Sequence, residues 1–226
     1  MRPKIRHNFV RLPLDEAYNV RDLGGYAGID KKPTKYHVFV RSDNPSNMTN
    51  DDIQYLKDYG VTATIDLRGE EEAEKHPNPL QYDKDIHFIN IPFIAGDIMD
   101  VRMAAMPGFH VAGFYQDLID SHEMVYQIFD FILKQKGCVL YHCSAGKDRT
   151  GVVSALLLDL AGCHPYDIVK DYSESYENNR EIYDELLKLT SKENEHYLSS
   201  DPLFMLKMMD HLSENYGSAR AYLMEI

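Results

Sequence analysis

The chain has 226 residues, of which 44% are hydrophobic and 27% are charged, and its net charge is −12 at pH 7. This length and balance predict one globular domain, residues 1–226, with a substantial hydrophobic core. The acidic balance argues against nucleic-acid binding, which needs a basic surface. It leaves room for a small phosphorylated substrate, because a single local pocket can be positive on an acidic protein.

The N-terminal segment and the cysteine content indicate a cytoplasmic protein. The first residues are basic but lack the apolar stretch that a signal peptide needs. The most apolar run, residues 152–162, is too short and too interrupted to cross a bilayer, so we expect no integral membrane association. Three cysteines without a secretion signal do not suggest a disulfide framework.

Four short runs rich in β-branched and aromatic residues predict β-strands. They cover residues 36–42, 61–68, 87–93 and 138–143. Helical patterns lie between these runs, and strands that alternate with helices are typical of a parallel sheet. The predicted fold class is therefore α/β, with a mainly parallel central sheet, flanking helices and a helical C-terminal region.

Capping residues and glycines mark the first predicted helices. The polar start at Thr49 and the glycine at position 60 predict a helix that runs to about residue 59. Ser121 is placed to cap a second helix that runs to residue 136. Its apolar residues recur every three or four positions, which predicts one buried face.

The remaining helices follow later in the chain. The helix after Thr150 is apolar almost all round, which marks it as buried. From His164 onward the pattern is helical to the end, with Pro165 in a first turn. Residues 94–120 are the expected wall of any pocket beside these helices.

The stretch YHCSAGKDRTG, residues 141–151, joins the last predicted strand to the buried helix. Five residues separate Cys143 from Arg149, which is a weak pattern by itself. Its context strengthens it, because Gly146 permits a tight turn and the residues after the cysteine are small. A loop between a strand and a helix start presents backbone N–H groups and a positive dipole end to an anion.

These surroundings favour a reactive cysteine that acts on phosphorus. Helix N-termini and nearby cations stabilise the thiolate, which is the nucleophilic form. Arg149 can hold two phosphoryl oxygens at once, and we expect Lys147 to add positive charge at the rim. Thr150 is expected to hydrogen-bond to the sulfur and help it leave. His142 either orients the loop or is a satisfied core histidine.

Two aspartates are candidates for the general acid that protonates the leaving oxygen. Asp148 lies inside the loop, one residue before Arg149, and is the favoured candidate. Asp66 lies near the end of a predicted strand, where active sites of parallel sheets gather. The alternatives are an ion pair of Asp148 with a neighbouring cation and a structural pairing of Asp66 with Arg68 or with an arginine of the N-terminal segment.

Other readings of the same residues fail on detail. The pair Gly146-Lys147 lacks the glycine and the Ser or Thr of a nucleotide-binding loop. The segment HEMVYQ at position 122 lacks the second histidine of a zinc motif, and there is no CxxC pair. The sequence therefore predicts neither a metal site nor a cofactor.

The stretch HCSAGKDRTG resembles the signature of the cysteine-dependent phosphatases, and its AGK-x-RTG part is similar to loops of phosphoinositide phosphatases. Further motifs come in an order that resembles the bacterial tyrosine/serine phosphatase family, which is also active on lipids. They are NVRDLGGY (19–26), FVRSD (39–43), TIDLRGEEE (64–72), VKDYSESYENN (169–179) and ENYGSARAYL (214–223).

This resemblance implies a tyrosine-phosphatase-like α/β fold and hydrolysis of phosphotyrosine, with phosphoserine, phosphothreonine or phosphoinositides as further substrates. It assigns Cys143 as nucleophile, Arg149 as phosphate clamp and Asp148 as acid. The absence of tryptophan from the chain fits an acid carried by the loop rather than by a Trp-Pro-Asp segment. The expected phosphate-binding residues are Ser144, Ala145, Gly146, Lys147, Asp148 and Arg149.

Two rival functions use the same pocket. One is a phospho-binding module with little turnover, against which the intact set of Cys143, Asp148 and Arg149 argues. The other is a redox enzyme such as an arsenate reductase, which needs a resolving cysteine. Cys138 and Cys163 are the candidates for that role.

Overall fold

A computed structural model describes residues 11–93, 110–190, 192 and 195–226. Within these ranges one sheet has the strand order β1-β2-β5-β3-β4. β1 pairs antiparallel with β2, and the other neighbouring strands are parallel, which places β5 at the centre. The strands are β1 (Arg21–Asp22), β2 (Phe39–Ser42), β3 (Val61–Asp66), β4 (His87–Asn90) and β5 (Cys138–His142).

The helices of the described ranges flank this sheet and make up the C-terminal region. None of them is both long and apolar enough to cross a bilayer. The predicted fold class is confirmed. The helices are α1 (Asn50–Tyr59), α2 (Glu70–Lys75), α3 (Val111–Asp120), α4 (His122–Leu133), α5 (Asp148–Leu160), α6 (Pro165–Asn178), α7 (Arg180–Leu187), α8 (Pro202–Tyr216) and α9 (Ala219–Glu225).

The sheet separates two hydrophobic clusters because side chains alternate along each strand. On β5, Val139 and Tyr141 join the larger cluster, to which α3, α4, α5, α6, α8 and α9 contribute. Cys138 and Leu140 join the smaller cluster, together with Leu56 of α1. The central strand is therefore covered on both faces, and the loop that follows it starts from a rigid support.

The predicted signals of the first helix are confirmed. Thr49 accepts from the backbone of Asp52 at 3.1 Å, and the Asp52 carboxylate accepts from the backbone of Thr49 at 3.0 Å, which is a capping box. Gly60 ends the helix in the left-handed region, with φ of +104°. The predicted apolar face of α4 is also buried.

Several predicted boundaries are wrong for local reasons. Ser121 stands at the predicted N-cap position of α4, but its hydroxyl makes no capping bond and donates instead to the Asp117 carbonyl of α3 at 2.8 Å. The helix ends at Leu133 rather than at residue 136. β2 begins at Phe39 rather than residue 36, after His37 with φ of +62°. The buried helix begins at Asp148 rather than after Thr150.

Candidate active site

The loop of residues 143–147 leaves β5 at the carboxyl edge of the sheet and enters α5 at Asp148. Gly146 has φ of +63°, a conformation that side chains rarely adopt. A Cβ atom there would lie 2.5 Å from the Ser42 carbonyl oxygen and 2.7 Å from the Asp43 nitrogen. Only glycine lets the loop pack this closely on the end of β2.

Donors from other segments bind the carbonyl oxygens of residues 144–146. We call the side of the loop to which these oxygens point the outer face. Each of the three oxygens accepts at least one hydrogen bond of ordinary length. The donors are the Asn44 backbone N to Ser144 (2.9 Å), Asn19 Nδ2 to Ala145 and Gly146 (2.9 and 3.0 Å), Asn179 Nδ2 to Ala145 (2.8 Å) and Arg41 Nη2 to Gly146 (2.7 Å).

The direction of these carbonyls fixes the direction of the amides. In a planar trans peptide, the C=O of one residue and the N–H of the next point to opposite sides. The N–H groups of residues 145–147 therefore point away from the outer donors. We call the side to which they point the inner face of the loop. It combines amide hydrogens with the N-terminal end of α5, which suits an anion.

Cys143 and Thr150 come together as predicted. The cysteine is buried, with 2% of its surface exposed, and the Thr150 hydroxyl donates to its sulfur at 3.1 Å. Thr150 is in the first turn of α5, so the start of the helix and the hydroxyl act on the same atom.

Arg149 is held in place by its terminal nitrogens. Nη1 donates to the Leu67 carbonyl at 3.3 Å and lies 3.3 Å from Glu72 Oε2, while Nη2 donates to the Ser144 hydroxyl at 2.7 Å. Nη2 also lies 3.4 Å from the same Glu72 oxygen, and the Ser144 hydroxyl donates to the other one. Sequence reasoning missed Glu72, although it stands in the TIDLRGEEE motif.

The remaining nitrogen of Arg149 is different. Nε is buried and has no hydrogen-bond partner among the described residues. A buried guanidinium N–H without a partner costs free energy, so an acceptor at this position would be stabilised. A phosphoryl oxygen is such an acceptor, and arginine geometry suits it.

Asp148 is partly open to solvent, with 29% of its side chain exposed. The Tyr115 hydroxyl donates to its Oδ1 at 2.6 Å, and Lys147 Nζ lies 3.5 Å from the same oxygen. Tyr115 belongs to α3, within the predicted wall of residues 94–120. Residues 94–109 of that wall lie outside the described part of the chain.

Asp66 occupies a different environment, as the alternative interpretation expected. It is buried and forms a two-pronged contact with Arg68, at 2.9 Å to Nε and 2.6 Å to Nη2. Burial opposes ionisation, but the Arg68 guanidinium, which bonds to both oxygens, outweighs it and holds the pKa of Asp66 below its usual range. A buried carboxylate that stays ionised is poorly suited to donate a proton.

His142 is fully buried and neutral. Its Nδ1 lies 3.1 Å from the Cys143 carbonyl, and its Nε2 lies 3.0 Å from Asn78 Nδ2. These contacts fit a ring that donates from Nδ1 and accepts at Nε2. Burial lowers the pKa of His142 to about 4, so the ring is neutral near pH 7. Through Nδ1 the ring contacts the backbone carbonyl of Cys143.

The predicted rim position of Lys147 is wrong for its side chain. The residue is 3% exposed, and its ammonium group donates to the carbonyls of Tyr197 at 2.6 Å and Ser199 at 3.1 Å. This cation therefore ties the loop to the segment before α8. Only the main-chain amide of Lys147 remains a candidate for phosphate binding.

A buried ionic cluster supports the outer face, and sequence reasoning gave its members no role. Asp171 of α6 accepts from Arg21 Nε at 2.9 Å and from Arg41 Nη1. Arg21 also donates to the Asn19 side chain at 2.5 Å, and Arg41 reaches the loop at Gly146. All of these residues lie in the motifs on which the family resemblance rests. That resemblance was the signal in the sequence that could have pointed to them.

Comparisons with known proteins identify the family of the chain. The profile of the tyrosine phosphatase family matches residues 12–226. The chain belongs to this family. The family resemblance predicted from the motifs is therefore confirmed.

Individual relatives within the tyrosine phosphatase family are distant. A tyrosine-protein phosphatase of Nostoc commune is 36% identical over 141 residues, which cover 61% of this chain and 48% of that protein. The triple specificity protein phosphatase PtpB of Mycobacterium tuberculosis is 27% identical over 191 residues, which cover 72% and 68%. The chain thus spans about half to two thirds of these relatives. A crystal structure of P. aeruginosa TpbA covers 76% of this chain with a TM-score of 0.37 and 13% identity.

Proposed function

We propose that the protein is a cysteine-dependent phosphatase that hydrolyses phosphomonoesters, with phosphotyrosine as the main substrate, through a phosphocysteine intermediate. The observation that carries this proposal is the buried Nε of Arg149, which has no partner among the described residues. It lies on an arginine whose other nitrogens are already held, next to a loop whose amides point to the inner face. A phosphate group supplies the missing acceptors.

In the first step, Cys143 Sγ attacks phosphorus and forms the S–P bond. The bond between phosphorus and the leaving oxygen breaks, its electron pair goes to that oxygen, and Asp148 donates the proton. The amides of residues 145–147 and the Arg149 guanidinium bind the three other phosphoryl oxygens. Such fixed donors stabilise the charge of the transition state without reorganisation.

In the second step, water attacks the phosphorus of the phosphocysteine, and Asp148 accepts the proton of the water. The S–P bond breaks and its electron pair returns to the sulfur. The Thr150 hydroxyl, 3.1 Å from that sulfur, stabilises the leaving thiolate. Free phosphate then leaves, and Asp148 carries the proton for the next cycle.

The surrounding cations favour a substrate with one phosphate. A polyphosphorylated inositol needs further cations beside the pocket. Among the described residues next to the loop, Lys147 donates to two carbonyls, Arg68 pairs with Asp66, and Arg41 pairs with Asp171. The phosphoinositide alternative and turnover of phosphoserine or phosphothreonine are therefore secondary to phosphotyrosine in this proposal. The name of the Nostoc commune relative, a tyrosine-protein phosphatase, supports phosphotyrosine as a substrate, and the name of PtpB, a triple specificity phosphatase, supports further substrates.

The redox alternative receives less support from the other two cysteines. Both are buried. Burial raises the pKa of Cys138 to about 12 and that of Cys163 to about 11, so both remain thiols near neutral pH. Thiol exchange requires the thiolate, so neither cysteine is suited to resolve an oxidised Cys143.

Hydrolysis of 4-nitrophenyl phosphate tests the proposal directly. We expect turnover by the wild type and a loss of about 10³-fold or more in Cys143→Ser, because the nucleophile is removed. Cys163→Ser is the matched control and should keep wild-type turnover, since this buried cysteine is not in the loop. Trapping of radiolabelled phosphate on the wild type after acid quench, and its absence in Cys143→Ser, would identify the intermediate.

The opposite results separate the rival functions. Binding of phosphotyrosine peptides with no turnover would favour the phospho-binding module. Loss of turnover in a Cys138→Ser/Cys163→Ser variant that still folds would favour the redox enzyme. A panel of phosphopeptides and soluble phosphoinositides, compared by kcat/KM, would rank the substrates.

A further inference from the structure

Two buried tyrosines stand behind the candidate acid. Tyr115 of α3 and Tyr172 of α6 are both fully buried, and their hydroxyl oxygens are 2.8 Å apart. Their rings meet edge to face, with centroids 5.8 Å apart and an interplanar angle of 81°. The Tyr115 hydroxyl also lies 2.6 Å from Asp148 Oδ1. The three side chains form a continuous path from the core to the loop.

The direction of the hydrogen bonds follows from counting protons. A phenol has one hydrogen to donate, and a carboxylate oxygen can only accept. Tyr115 therefore gives its hydrogen to Asp148, and Tyr172 must be the donor to Tyr115. Burial raises the pKa of both phenols well above the usual value, so both stay protonated as donors.

The two oxygens of Asp148 are consequently not equivalent. Oδ1 accepts from Tyr115 and is also the oxygen nearest to the Lys147 ammonium, at 3.5 Å. Oδ2 has no hydrogen-bond partner among the residues that the structure describes. Because one oxygen is held from the core side, the other is left to carry a proton toward a ligand.

Resting on the proposed function, in which Asp148 is the general acid, we propose that Tyr115 is a positioning residue for proton transfer. Its hydroxyl fixes Oδ1 and so leaves Oδ2 to protonate the leaving oxygen. Tyr172 supports Tyr115 by donating to it. Without Tyr115, the carboxylate is free to turn toward Lys147 as a simple ion pair, which is a poor arrangement for proton donation.

The dependence of the activity loss on the leaving group distinguishes a role in proton transfer from a purely structural role. Proton donation matters most when the leaving oxygen is strongly basic, as in phenyl phosphate, and little for 4-nitrophenyl phosphate. In Tyr115→Phe we expect kcat/KM to fall about 10-fold on phenyl phosphate and less than about 2-fold on 4-nitrophenyl phosphate. We compare kcat/KM because it reports the step in which the leaving oxygen departs and excludes hydrolysis of the phosphocysteine, which is the same for both substrates. Asp148→Asn should show the same selectivity with a larger loss.

Two further variants complete the experiment. Tyr172→Phe keeps the contact between Tyr115 and Asp148, so we expect the same selective loss at about 3-fold. This variant also tests the inference if Tyr115→Phe fails to fold. Tyr222→Phe is the matched control, because it removes another buried hydroxyl, one that donates to the Ile119 carbonyl. It should leave the ratio of the two kcat/KM values unchanged.

An equal loss on both substrates, or no loss, in Tyr115→Phe and Tyr172→Phe would overturn the role of Tyr115 and leave the phosphatase intact. A loss in Asp148→Asn that does not depend on the leaving group would remove the acid assignment, and the inference with it. Absence of Cys143-dependent turnover in the wild type would instead overturn the proposed function itself.

Discussion

The two faces of the loop between β5 and α5 are built in opposite ways. On the outer face, the carbonyls of residues 144–146 accept from Asn19, Arg41, Asn44 and Asn179. On the inner face, the amides of residues 145–147 point away from these donors, and Arg149 Nε has no described partner. Satisfied groups on one face hold the loop in a shape that leaves donors for a ligand on the other.

The contacts of the outer face stabilise the loop, whereas the donors of the inner face are left for a ligand. Two of the outer donors, Asn19 and Arg41, belong to a core network in which a buried aspartate lies between Arg21 and Arg41. Such a network resists change because removing one partner leaves a buried charge or a buried polar group uncompensated. Buried atoms without a described partner occur on both sides: Arg41 Nε and Asn179 Oδ1 among the outer donor residues, and Nε of Arg149. Binding of a phosphoryl oxygen would relieve the cost at Arg149.

The largest loss of turnover among the following variants is expected when Arg149 loses its unpartnered Nε. In Arg149→Lys the charge remains, but Nε and the two-pronged geometry are lost. We expect kcat on 4-nitrophenyl phosphate to fall about 100-fold or more. Arg180→Lys serves as the control, because Arg180 pairs with Glu177 on the surface. A loss of less than about 10-fold in Arg149→Lys would mean that charge alone is enough.

An intermediate loss of turnover is expected when a side-chain donor to the outer face is removed. Asn19→Ala removes one of the two donors to each of the Ala145 and Gly146 carbonyls and so loosens both peptides. We expect kcat to fall about 10-fold and inhibition by inorganic phosphate to weaken by a similar factor, because the amides lose their alignment. Asn179→Ala, which removes one donor from the Ala145 carbonyl alone, should have a smaller effect.

The control for this pair is Asn215→Ala, since Asn215 bonds only to His211 within α8. Unchanged phosphate inhibition in Asn19→Ala would show that the loop keeps its shape without outer donors. The outer hydrogen bonds would then not be needed to align the amides of the inner face.

Local patterns in the sequence predicted much of this site. The spacing of Cys143 and Arg149, the glycine at position 146 and the buried helix behind them are features of one continuous segment. The capping box of α1 and the apolar face of α4 were predictable for the same reason. Each depends on residues that are close in the chain.

Contacts between distant segments could not be predicted in this way. The direction of the Lys147 side chain depends on carbonyls fifty residues later in the chain. The roles of Asn19, Glu72 and Tyr115 depend on contacts with the loop and with the start of α5, which are far from all three in the chain. The choice between Asp66 and Asp148 was open in the sequence because partner and burial, rather than residue type, distinguish the two carboxyl groups.

The smallest effect on turnover is expected for Asp66→Asn, which changes the scaffold of the outer face. Asp66 holds Arg68, which donates to Asn44 Oδ1 at 2.9 Å, and the Asn44 backbone N donates to Ser144. We expect a loss of kcat of about 3-fold or less, equal for good and poor leaving groups. A loss that grows with the basicity of the leaving group would instead make Asp66 the acid.

The same variant should change stability much more than turnover. Breaking a buried pair costs about 3 kcal/mol of unfolding free energy, because Arg68 stays buried without its partner. The folded state lowers the pKa of Asp66. Its contribution is therefore complete above the unfolded value of about 3.9 and is lost as the pH falls below it. Denaturant unfolding between pH 2 and 7 should show a shallower acid decline in Asp66→Asn than in the wild type. Asp85→Asn, which alters the exposed pair with Lys57, should follow the wild-type curve.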